Sequence, residues 1–203
     1  MRWPSESPLQ LRYLVDGDIG RLLIPHARPP RRADRLWQHT CFEAFVAVGS
    51  GAGYYELNFS PSTEWAVYRF SAYREGMTAV EPMRSPRIST DVDADRLAVA
   101  VAIELEPLLD LRPDVGLRVA LSAVVEDAEH RVSYWSLAHA PGKPDFHHPD
   151  GFALDVLAPA PSPQPSPARG EGASLRSRER AQTTDAKSPA PSPLAGEGRG
   201  EGE

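Results

Sequence analysis

Cysteine is almost absent: Cys41 stands alone among 203 residues, so no disulfide can close within the chain. That usage suits a reducing compartment. Long apolar runs are missing as well. No window approaches the ~18 apolar residues of a membrane-spanning helix. The N-terminal MRWPSESPLQLRYLVDG has no apolar stretch of the signal-peptide kind. Cytoplasmic placement without a membrane partner is therefore expected. A strand pattern nevertheless begins almost at once, near Leu9, as it would if the start site were placed too late. Excess positive charge is lacking too. The formal charge is −6, and an acidic surface repels phosphate backbones, which argues against nucleic acid as a partner. Finally, there is no G-x-S-x-G, no phosphate loop and no H-E-x-x-H. His39 and Cys41 stand far from His147 and His148, so no zinc spacing appears. Cys41 lies in an apolar run and reads as a small buried hydrophobe. No catalytic and no metal-binding residue is expected.

Proline, by contrast, is abundant: 21 of 203 residues, about twice the usual share. Eight of these prolines follow Ala158. The stretches APAPSPQPSPARGEG (158–172) and SPAPSPLAGEGRGEGE (188–203) repeat with a period of 26 residues. The repeated unit has almost nothing to bury, so it cannot offset backbone entropy and reads as disordered. Residues 158–203 carry six basic and six acidic side chains, which leaves the whole negative charge on residues 1–157. The tail suits a translated repetitive element better than a ligand for SH3-like modules.

Residues 1–157 read as one all-β domain. Alternation or β-rich runs mark strands at 9–15, 22–24, 40–48, 54–59, 65–70, 96–104, 117–126, 132–138 and 152–156. One helical turn is expected at EPLLDL, 106–111. About nine short strands without helices predict an antiparallel β-sandwich, immunoglobulin-like or jelly-roll.

Side chains alternate between the faces of a strand. In YYELNF, Tyr55, Leu57 and Phe59 form a core face, leaving Tyr54, Glu56 and Asn58 on the other. In WAVYRF, Ala66, Tyr68 and Phe70 oppose Trp65, Val67 and Arg69. RLAVAVAI turns Leu97, Val99, Val101 and Ile103 inward and shows only Ala98, Ala100 and Ala102 outside. LRVALSAVVE shows Ala120 and Ser122 outside. If these two strands pair, their small residues make a floor. Trp37, Trp65 and Trp135 could wall it, with Glu43, Asn58, Arg69 and Lys143 orienting a ligand. The same tryptophans also suit core packing. Glu43, inside an apolar strand, needs a partner; Arg69 or Lys143 could supply it. His147 and His148 are adjacent, and adjacent strand residues point apart, which disfavours one shared metal.

Three segments together, LWQHTCFEAFVA (36–47), YYELNFSPSTEWAVYRFSAYREGM (54–77) and SYWSLAHAPGKPDFHHPDGF (133–152), resemble the bacterial DOMON-like domain proteins. Those are similar to family 9 carbohydrate-binding modules and to cytochrome-type and catecholamine-type DOMON domains. The resemblance spans residues 9–157. It implies a sandwich that binds a sugar-like small molecule, or haem, on one face. It places Glu43 at the carboxylate of the CFEAFV strand and makes Trp37 and Trp65 the candidate sugar platforms. Under the haem alternative, Met77 or Met83 would pair with His147 or Lys143. The family pattern also carries a further strand ahead of LQLRYLVDGD. The expected function is a non-catalytic binding module, most simply without a cofactor. A structural or protein-interaction domain is the other alternative. If the tail has no fold of its own, a chain ending at Leu157 will melt at the same temperature as the full chain in a circular-dichroism thermal scan.

Overall fold

The computed structural model describes residues 8–80, 84–105 and 116–156. Among these residues ten strands form two antiparallel sheets. They are β1 (Leu9–Asp16), β2 (Cys41–Val48), β3 (Tyr54–Phe59), β4 (Trp65–Phe70), β5 (Thr78–Ala79), β6 (Arg87–Val92), β7 (Arg96–Ile103), β8 (Leu117–Glu126), β9 (Val132–Ser136) and β10 (Leu154–Val156). The smaller sheet runs β1-β7-β6. The larger runs β10-β8-β2-β3-β4-β5, with β9 also paired to β8. The β-sandwich expected from the alternation is what forms. The helical turn at 106–111, Met83 and the tail from 158 lie outside the described residues.

Between the sheets lies the main core. Leu97, Val99, Val101 and Ile103 of β7 meet Phe42, Ala44 and Val46 of β2, Leu57 and Phe59 of β3, and Val119 and Val125 of β8. Leu9, Leu11, Tyr13 and Val15 close it along β1. The alternation that marks β7 in the sequence is therefore the burial pattern itself.

The strand inventory differs from expectation in three places. Residues 22–24 form no strand; Leu22 makes one isolated bridge to Asp127, and Pro25, which lacks an N–H, follows directly. Arg87–Val92 does form a strand, β6. It is an edge strand whose inner face offers only Ile88 and Thr90 half-buried, too little apolar patterning to read from the sequence. The two-residue β5 adds to the edge of the larger sheet.

The expected alanine floor is not formed. β7 and β8 lie in different sheets. Ala98, Ala100 and Ala102 sit on the solvent side of the small sheet, with Ala100 exposed. Ala120 and Ser122 lie on the outer side of the large one, beside β2. Alternation sets which side chains share a face but does not choose a strand's partner.

The large sheet is buried on both faces. β2 is closed from Cys41 to Ala47 without interruption, as doubly covered strands are. Its outer face carries a second cluster of Phe45, Ala47, Tyr54, Ala66, Tyr68, Phe70 and Ala120. Two connections roof it, bringing Leu36 and Trp37 from one side and Phe146 and Phe152 from the other. Because Leu57 is fully buried, Leu57→Ala will cost about 2–5 kcal/mol by urea denaturation. Ala100→Ser, on the solvated face, will stay within about 0.5 kcal/mol of the parent.

Candidate functional site

Strand register sets the outer face of the large sheet in rungs. One reads Ser122, Glu43, Asn58, Ala66 across β8, β2, β3 and β4; the next reads Ala120, Phe45, Glu56, Tyr68. Glu43, Glu56 and Asn58 are thus brought together, as the alternation implied. All are buried, at 3%, 6% and 0% exposure. Ser122 Oγ donates to Glu43 Oε2 at 3.1 Å, and Asn58 Nδ2 donates to Glu56 Oε1 at 2.7 Å. Burial pushes the Glu56 carboxyl up, with the Asn58 bond and the Arg74 charge opposing.

Trp37 belongs to the same face. It sits in a single 3-10 turn, Leu36–Gln38, edge-on to Tyr68 with ring centroids 5.8 Å apart. The other expected wall residues do not join it. Trp65 pairs opposite Phe59 and packs in the main core at 5% exposure. Arg69 pairs opposite Tyr55, on the face away from Glu43, and is exposed. Trp135 pairs opposite Ala123, packs against the main core and donates its indole N–H to Ser133 Oγ at 3.0 Å. Lys143 is exposed in the connection after β9. The period of two holds in each strand. Both faces of the large sheet are apolar, so only cross-strand register tells which one meets the other sheet.

The 143–152 connection is pinned by His147. Its ring lies 5.0 Å from Phe45 and 5.1 Å from Phe70, edge-on to both. Nδ1 is 2.8 Å from the Tyr54 hydroxyl, and Nε2 is 3.7 Å from Glu56 Oε2. Burial, helped by the Arg74 charge and opposed by Asp145, lowers the imidazole to about 4. At neutral pH the ring is uncharged, and its contact with Glu56 is no ion pair. Asp145 accepts from the Tyr73 hydroxyl and from Arg74 Nη2. Met77 is 56% exposed beside β5. Among the described residues, no group of three or more His, Cys, Asp or Glu side chains is placed to hold a metal.

The open site lies elsewhere, at the end of the sheet where β8 finishes and β3 turns into β4. A groove of about 670 Å³ runs between this end and the connection from β1 to β2. Leu23, Ile24, Pro25 and Leu36 supply its apolar lining; His26, Arg28, Arg35, Gln38, His39, Glu64, Glu126 and His130 supply its polar one. Backbone bonds hold the connection in place: Leu23 N to Glu126 O at 2.9 Å, Arg28 N to Ser62 O at 2.8 Å and Ala33 N to Trp65 O at 2.9 Å.

Two buried carboxylates face this groove, each held by two basic side chains. Glu126 accepts from His39 Nδ1 and from His130 Nδ1, both at 2.7 Å. Burial works to raise its carboxyl, but the two histidine bonds outweigh it and hold the group below the usual carboxylate range. Glu64 pairs with Arg31 at 2.6 Å and Arg28 at 3.7 Å. There too burial raises, and the bonds from Arg31 and Ser62 prevail. Both groups therefore stay ionised and fixed. None of these groove residues stood out in the sequence. The signal available was the charged, proline-bearing HARPPRRADR stretch, 26–35, since long loops carry function more often than strands do.

No family model matches the chain, and no curated protein matches it. The fold is similar to the crystal structure of a proposed carbohydrate-binding protein from Bacteroides uniformis. The TM-score is 0.51 at 13% identity, with 71% of each chain covered. At that identity the likeness concerns the fold. Among the described residues no helix is long and apolar enough to cross a membrane.

The His147 shift has a consequence for stability. An imidazole lowered to about 4 in the fold, against about 6.5 unfolded, is protonated more readily when unfolded. Its contribution is complete above pH 6.5 and is lost as pH falls toward 4, on the order of 3 kcal/mol in all. Glu56 acts in the opposite sense, since its raised carboxyl favours the fold while protonated. His147→Phe keeps the ring contacts and removes the titration. Denaturation midpoints measured from pH 7 to 4 will fall more steeply in the parent than in this variant.

Proposed function

We propose that this domain is a non-catalytic, DOMON-like module that binds a sugar-like small molecule in the groove beside Glu64 and Glu126. One observation carries the reading: an open groove of ligand size in which aliphatic side chains alternate with fixed, ionised carboxylates. Small-molecule sites combine an apolar lining with a few well-placed polar groups. A sugar presents C–H surface and hydroxyls together. Leu23, Ile24 and Leu36 suit the former. The carboxylates, Gln38 and Arg28 suit the latter, as acceptors, amide and donor respectively. The carboxylates are held before any ligand arrives, so little order remains to be imposed on binding. The likeness in fold to a proposed carbohydrate-binding protein supports the same class.

This reading moves the site away from the rungs of Glu43 and Asn58. Those side chains lie beneath the roof and serve as the polar interior of the sandwich. Among the described residues no Phe, Tyr or Trp lines the groove, so the ligand is held by hydrogen bonds more than by stacking. A glycan array probed with the full chain will identify a ligand, and calorimetry will measure it. Glu126→Gln will weaken that ligand roughly ten- to hundredfold, the effect of losing a hydrogen bond to a charged group, and Gln38→Ala roughly two- to tenfold, the effect of losing a neutral one. Trp65→Phe and Arg69→Gln will leave the affinity unchanged. A glycan lost in Arg69→Gln but kept in Glu126→Gln would refute the placement.

A further inference from the structure

The connection forming one wall of the groove, residues 26–39, holds four arginines against one aspartate in a chain of net charge −6. The acidic side chains of the groove are already engaged: Asp34 by Arg32 and Tyr68, Glu64 by Arg31 and Arg28, Glu126 by His39 and His130. Arg35, an exposed residue, also lines the groove. Its side chain makes no hydrogen bond or ion pair with another described residue; its charge helps to lower the Asp34 carboxyl, which Tyr68 and Arg32 hold directly.

Backbone geometry marks the same place. Among the described residues four non-glycines have a left-handed backbone: Arg35 (φ 61°), Thr63 (φ 73°), Arg74 (φ 55°) and His130 (φ 60°). Two of them, Arg35 and His130, line the groove. Thr63 lies in the turn that supplies Ser60 and Glu64, with its hydroxyl on Arg28 O at 2.6 Å. Such strain persists only where surrounding structure enforces it, and it gathers at functional sites. At Arg35 the enforcement comes from Tyr68. Its hydroxyl donates to Asp34 at 2.6 Å on one side, and its ring packs against Trp37 on the other. Gln38 N closes the turn onto Arg35 O at 3.1 Å. A strained, doubly anchored arginine whose guanidinium makes no hydrogen bond to a described residue is poised for an incoming anion, which its fork can grip through two parallel bonds.

We infer that the groove takes a saccharide bearing one anionic group, a carboxylate, sulfate or phosphate, with Arg35 as its counter-charge. This rests on the sugar-binding reading above. The carboxylates and Gln38 take the hydroxyls, and Arg35 takes the acidic substituent.

The test uses the full chain on an array carrying neutral glycans beside matched uronate, sulfated and phosphorylated forms, with affinities then measured by calorimetry. The expected result is at least tenfold tighter binding of one acidic class than of its neutral counterpart, weakening as salt rises. Arg35→Gly removes the guanidinium while accepting the left-handed backbone freely. It is expected to melt no lower than the parent and to bind the acidic glycan at least tenfold more weakly; Arg35→Asn, which also tolerates that backbone, is expected to do the same. Equal affinity for neutral and acidic forms, unchanged in both variants, overturns the inference and leaves the sugar reading standing. Binding of no glycan by the parent overturns both.

Discussion

The large sheet must be covered on both sides, and the rest of the molecule is arranged around that need. Strand β2 runs buried from Cys41 to Ala47, with Phe42, Ala44 and Val46 against the small sheet and Phe45 and Ala47 against the roof. A three-stranded sheet can cover one face of a seven-stranded one. It cannot cover the other, so two connections must. Their aromatic residues seal the outer face, and their polar residues are left at its margin. The groove lies at that margin, between the roof and the end of β8.

Polar groups caught beneath the roof follow the rule for buried polarity: each finds a partner or changes its protonation. Glu43 takes a bond from Ser122 and Glu56 one from Asn58, while His147 gives up its charge. The groove carboxylates take the opposite course. Glu64 and Glu126 are about as little exposed, but the side-chain bonds that reach them, from Arg31 and Ser62 in one case and from His39 and His130 in the other, hold each carboxyl low. A raised carboxyl at Glu56 and lowered ones at Glu64 and Glu126 are two answers to one desolvation cost, and the difference separates scaffold from site.

Much of the scaffold was legible in the sequence. Leu97, Val99, Val101 and Ile103 alternate with alanines and are the buried face of β7. Tyr55, Leu57 and Phe59 face the main core, and Glu56 and Asn58 face away from it, as their period of two requires. Trp65 and Arg69 were misplaced for a specific reason. Their strand is apolar on both sides, so the pattern has no polar face to mark the outside. The alanines of β7 and of β8 looked like one floor because each strand shows small residues on its outer side, yet the strands belong to different sheets.

What the sequence by itself determined is local: where strands run, which side chains share a face, and that the fold is an all-β sandwich. Alternation and turn residues act over a few positions and need no distant partner. What only the tertiary structure decided is which faces meet, which carboxylates keep their charge, and where a groove opens. His39 reaches Glu126 across 87 positions, and Tyr68 reaches Asp34 across 34. Such pairings depend on strand register and on how far a connection must travel to roof a sheet, and no short window of residues encodes either.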